Sequence, residues 1–181
     1  MTPMVRKGLV IAIVHVALVS SLGAKLLIDR ATRPRVWARS APVDPNLPIR
    51  GRYVSLRLEV RPSGGLVLPE GEKIAHPDGT FFTMPPRSQP VRVLVEGSEL
   101  VAVPGDEWST VRAVRATRED RVIAVLDAGL AYFIPEGIPD PSVRAPGEEL
   151  WVEVTVPRAG LPRPIQLGVK KNGVITPLAV R

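Results

Sequence analysis

Seventeen consecutive residues, Gly8 to Ala24, carry no formal charge and read GLVIAIVHVALVSSLGA. Leu26 to Ile28 extend the run, and Lys25 lies near its end, where a long side chain can reach the headgroups. A bilayer core needs roughly 20 apolar residues of helix, whereas a signal-peptide apolar region has about 7–15. Helix is the open-ended arrangement that satisfies backbone polar groups in lipid, and Pro34 ends any continuation. The sequence therefore predicts a single N-terminal transmembrane helix, with residues 1–30 as the membrane anchor and a span at about 8–28. A cleaved signal is the alternative, with Ser21 and Gly23 at the −3 and −1 positions.

The anchor organises the charge. The chain of 181 residues has a formal net charge of +6. Residues 1–50 hold eight basic side chains (Arg6, Lys7, Lys25, Arg30, Arg33, Arg35, Arg39, Arg50) and two acidic ones, Asp29 and Asp44. The other 131 residues carry 16 of each sign. A neutral folded region makes a poor phosphate footprint, so nucleic acid is not an expected partner. The excess reads instead as a basic collar beside a membrane. Orientation is ambiguous, because Arg6 and Lys7 precede the run while Lys25, Arg30, Arg33, Arg35 and Arg39 follow it. The positive-inside count keeps the C-terminal region in the cytoplasm, while the short basic N-terminus resembles a signal-anchor that exports it. We adopt the second: the cytoplasmic membrane, single-pass, with the following domain extracytoplasmic. His15 sits near the middle of the run, either as a functional group or as a neutral imidazole hydrogen-bonded to a neighbouring helix. Gly8 and Ala12 form one of several small-residue pairs that permit close helix contact.

Residues 31–49 hold four prolines and no sustained period, which predicts a Pro/Arg-rich spacer, with Trp37 its one large apolar residue. From there the period becomes two. In Arg52 to Arg61, Val54, Leu56, Leu58 and Val60 face one way and Tyr53, Ser55, Arg57 and Glu59 the other. Val91 to Val95 and Leu100 to Val103 read as a hairpin around Gly97 and Ser98, and Thr110 to Thr117 with Arg121 to Asp127 as another. Glu149 to Val156 alternates, and Ile165 to Lys170 pairs with Val174 to Val180 across Asn172-Gly173, both tolerant of positive φ. Many short strands with Pro and Gly turns predict an all-β domain over 50–181, an antiparallel β-sandwich or partly open barrel. Hydrophobic content of 45% is enough for a packed core.

Gly51-Arg52-Tyr53-Val54-Ser55-Leu56-Arg57-Leu58 resembles the opening motif of the bacterial membrane-anchored GDYXXLXY family. Gly51, Tyr53 and Leu56 match its pattern, while Arg52 replaces the Asp and Leu58 the final Tyr. Tyr132-Phe133-Ile134-Pro135-Glu136-Gly137 is similar to the family's second block, and the Gly160 region with the Asn-Gly hairpin to its closing pattern. The resemblance implies one N-terminal helix, an all-β domain and a multi-spanning membrane protein as neighbour. Arg52 reverses a charge, so no carboxylate role carries over to that position.

Chemistry-bearing residues are sparse. The chain has no Cys and two His, which removes thiolate metal sites and cysteine nucleophiles and leaves few routes to a histidine triad. Glu70, Glu72, His76 and Asp78 cluster in the long 61–90 segment, where they form an acid/base or cation-binding set or a solvated loop. Ser63 lacks a nucleophile elbow, and Gly64-Gly65 lacks a following helix with Lys-Ser or Lys-Thr. Tyr53, Tyr132, Phe133 and Glu136 suggest an aromatic platform beside a carboxylate, suited to a peptide or glycan, or else a pinned turn. No cofactor or metal is expected. The expected function is a non-enzymatic interaction or scaffold component of the cell envelope. The alternative is an envelope-associated hydrolase using the 61–90 loop.

Overall fold

A computed structural model describes residues 3–41, 53–69, 71, 73–75, 80–105, 109–116 and 121–179. They form two compact units, Met1–Arg33 and Pro34–Arg181.

The first unit is helix α1 (Pro3–Thr32). Its stretch Val5–Thr32 is long and apolar enough to cross a membrane, and none of it is buried. Leu9, Ile11, Ile13, Val14, Val16, Leu18 and Val19 are all exposed, so no polar face interrupts the apolar surface. A helix apolar all round needs an apolar surrounding, not one packed side. Two of its hydroxyls bond backwards, Ser21 Oγ to Leu18 O at 2.8 Å and Thr32 Oγ1 to Ile28 O at 2.7 Å. The last turn is closed by Arg33, whose guanidinium lies 3.0 Å from Asp29 Oδ1, and Pro34 then prevents extension.

The second unit is all strand. In chain order these are β1 (Arg35–Ala41), β2 (Tyr53–Pro62), β3 (Lys73–Ala75), β4 (Phe81–Thr83), β5 (Gln89–Glu96), β6 (Glu99–Pro104), β7 (Ser109–Ala116), β8 (Arg121–Leu126), β9 (Leu130–Phe133), β10 (Glu148–Thr155), β11 (Arg163–Lys171) and β12 (Val174–Pro177). Ten of these form one sheet: nine lie on a path ordered β12-β11-β10-β1-β2-β6-β5-β7-β8, and β9 is added on β2.

Strand β2 organises this arrangement by changing partners along its length. Tyr53 to Leu56 pair with β9, Arg57 and Leu58 with β1, Glu59 and Val60 with β8, and Arg61 and Pro62 run parallel to β6. Its C-terminal half thereby closes a ring of β2, β6, β5, β7 and β8, a small barrel joined at two short seams. Its N-terminal half continues into an antiparallel sheet of β1, β10, β11 and β12. One apolar core runs through both parts, from Leu56, Leu58 and Val60 on β2 to Val91, Val111 and Leu126 in the ring and Val152, Val154 and Leu167 in the sheet. Antiparallel pairing dominates, so the expected class holds, with the barrel and the extra sheet sharing a strand.

Two expectations need correction. Residues 35–41 belong to the β-domain and are not spacer: β1 pairs with β10 from Arg35↔Thr155 to Arg39↔Trp151 and with β2 at Ser40↔Leu58. Val36 and Ala38 point into the core. The flanking Pro34 and Pro42 suggested spacer, but the period of two between them is that of a half-buried strand. The 61–90 segment is also less irregular than expected, since β3 and β4 pair there as a short hairpin. The Asn172-Gly173 turn is as read, with φ of 51° and 83° joining β11 to β12.

Candidate functional site

Alternation along β1 and β10 turns Val36, Ala38, Leu150, Val152 and Val154 inward, leaving Arg35, Trp37, Arg39, Glu149, Trp151 and Glu153 on the outer face. All of these outer residues except Glu153 line one side of a groove of about 1080 Å³. The opposite wall comes from the C-terminal half of β2, the β5–β6 turn at Gly97 to Leu100, and Arg121 to Ala124 on β8. Lys170 and Ile175 complete it.

Trp37 lies against the backbone of Gly168 on β11. A Cβ placed there would stand 2.7 Å from Trp37 Cζ3 and 3.0 Å from Ile175 Cγ2. Only glycine leaves room for the indole to lie on the sheet. The second indole, Trp151, donates from Nε1 to Glu149 Oε2 at 3.0 Å and carries Lys170 Nζ 4.2 Å from its ring centroid.

The charges form a ladder across the strands. Arg121 on β8 donates to Glu59 Oε1 at 2.7 Å. Glu59 Oε2 faces Arg39 on β1 at 3.6 Å, and the other Arg39 nitrogen meets Glu149 on β10 at 3.1 Å. Arg39 and Glu59 are largely buried, with side-chain exposures of 19% and 16%. Partly desolvated pairs of this kind fix the geometry, because removing one partner leaves a charge without compensation. At the far wall, Arg61 donates to Glu99 at 2.6 Å and to Glu96 at 2.9 Å. These bonds, Glu99 first, raise the Arg61 pKa above its ordinary value. Five cations (Arg35, Arg39, Arg61, Arg121, Lys170) line the groove with three carboxylates (Glu59, Glu99, Glu149). The lining thus holds two more cations than carboxylates around two indoles, with Arg39, Arg61 and Arg121 each already paired to a carboxylate.

The residues singled out in the sequence lie elsewhere. Tyr53 and Phe133 are cross-strand partners on β2 and β9, their rings 5.7 Å apart in an edge arrangement, and both are about half exposed. Tyr132 faces the other side of β9 and packs against the core, so the proposed aromatic set is divided by the pleat. Glu136 is exposed in the following turn, beside Gly137 at φ 84°. Glu70, Glu72, His76 and Asp78 lie outside the described residues. Among the described residues there is no group of three or more His, Cys, Asp or Glu placed to hold a metal ion. Sequence reasoning missed the groove because its walls come from residues 35 to 175, joined by long-range pairing. The local signal was the outward row Arg35, Trp37, Arg39, an aromatic between two cations on a strand period.

Comparison with family models, curated proteins and solved structures returned no match to this chain.

Proposed function

We propose that this is a membrane-anchored interaction module of the bacterial cell envelope. Its β-domain stands outside the cytoplasmic membrane and binds an extended acidic polypeptide segment of a neighbouring envelope protein. The observation that carries the reading is the groove, where two indoles lie among five cations and three carboxylates. Tryptophan and arginine are the side chains that most often dominate binding energy at protein interfaces. The apolar helix supports anchoring, and the motif resemblance around Tyr53 and Leu56 supports placing the chain with the GDYXXLXY family, beside a multi-spanning partner. The guanidiniums are already oriented by Glu59, Glu149, Glu96 and Glu99, which lowers the ordering cost of binding.

Co-purification of the full chain from native membranes in mild detergent tests this. A partner is recovered with the wild type, and Trp151→Ala lowers the recovery at least about tenfold while leaving thermal unfolding cooperative. Recovery of no stable partner, or equal recovery with the variant, contradicts the reading.

A further inference from the structure

We infer that α1 docks through His15 against a membrane helix of a different protein, one that presents a side-chain N–H or O–H donor near the bilayer midplane. The inference rests on the membrane-spanning reading of α1. His15 Nδ1 lies 2.8 Å from the carbonyl oxygen of Ile11, one turn earlier. A carbonyl oxygen only accepts, so Nδ1 carries the proton of this bond, and in the neutral ring Nε2 is left as a bare acceptor. That acceptor projects from a helix none of whose spanning stretch is buried, and no described group of the chain meets it. In hydrocarbon there is no water to meet it either, and intramembrane polar groups find partners on neighbouring helices.

The same geometry argues against a second copy as the partner. Copies inserted in one orientation place like residues at like depth. From Gly8 to Val19, His15 is the one residue with a side-chain N–H or O–H, and its N–H is committed to Ile11. Two copies meeting at this level would bring acceptor against acceptor. The next hydroxyl, Ser20, is five residues on, about 7.5 Å along the axis. Gly8 and Ala12 share the His15 face at helical spacing, so a partner backbone can approach closely.

The chain has no Cys, so Ala31→Cys gives a single labelling site on the full protein. Its energy transfer to two membrane-spanning Leu-rich peptides, one with a single Asn at its midpoint and one with Leu there, is measured in phosphatidylcholine vesicles. The Asn peptide is expected to associate roughly three- to thirty-fold more tightly than the Leu peptide. His15→Leu removes that preference, and His15→Gln, which restores an acceptor, keeps it. Equal association of both peptides with the wild type, or an unchanged preference in His15→Leu, overturns the inference. Self-association of the full chain that depends on His15 overturns it too, by assigning the acceptor to a second copy. Alkaline extraction of the same vesicles reports separately on spanning, and release of the chain would remove the membrane reading itself.

Discussion

Gly168 shows how one missing methyl group shapes the groove. Its Cα is the surface on which Trp37 rests, and a side chain there would lie within 3.0 Å of both the indole and Ile175. Gly168→Ala therefore has to move Trp37 off the sheet or shift β12. Overpacking of this kind costs about 1–3 kcal/mol. We expect a lowered Tm in thermal unfolding, together with a changed tryptophan emission spectrum as the indole leaves its seat. Unchanged stability and emission would mean that Trp37 does not pack there. Glu59 belongs to the same scale: one carboxylate between Arg121 and Arg39 ties β8 to β1, so the groove's two walls share a charge.

Among the elements, β1 decides where the domain begins. Val36 and Ala38 are buried in the same core as Val152 and Leu56, and Val156 N donates to Pro34 O at 3.3 Å. Val36→Asp places an unpaired carboxylate in that core, a change in the several kcal/mol range. The expected outcome is loss of the cooperative unfolding transition and of protease resistance in the β-domain; a free spacer would tolerate it. Strands whose alternation runs long were legible from sequence, as with Val54, Leu56, Leu58 and Val60 on β2 or Leu150, Val152 and Val154 on β10. So was the Asn172-Gly173 turn, because its φ requirement is local. Elements without a long alternation or a turn signal of their own were not legible. β9 has four residues, too few for a period to show, and β1 was obscured by the prolines beside it. The parallel seam of β2 with β6 involves Arg61↔Val101 and Pro62↔Ala102, a pairing that no local pattern encodes.

For the whole molecule, the charge is placed unevenly along the chain. The basic excess of the first 50 residues flanks an apolar helix, while the rest is balanced. Folding brings Arg35 and Arg39 of the basic segment together with Arg61, Arg121 and Lys170 of the balanced one around two indoles. Composition could not show this, because the net charge averages over faces that the fold separates. Photocrosslinking in native membranes is the most direct test that this groove is the binding surface. A photoreactive residue replaces Val122, which lines the groove and is 48% exposed, or Val143, which is not among the lining residues and is 66% exposed. We predict a discrete protein adduct from position 122 and none from 143. An adduct of the same size and yield from both, or none from 122, would contradict the account.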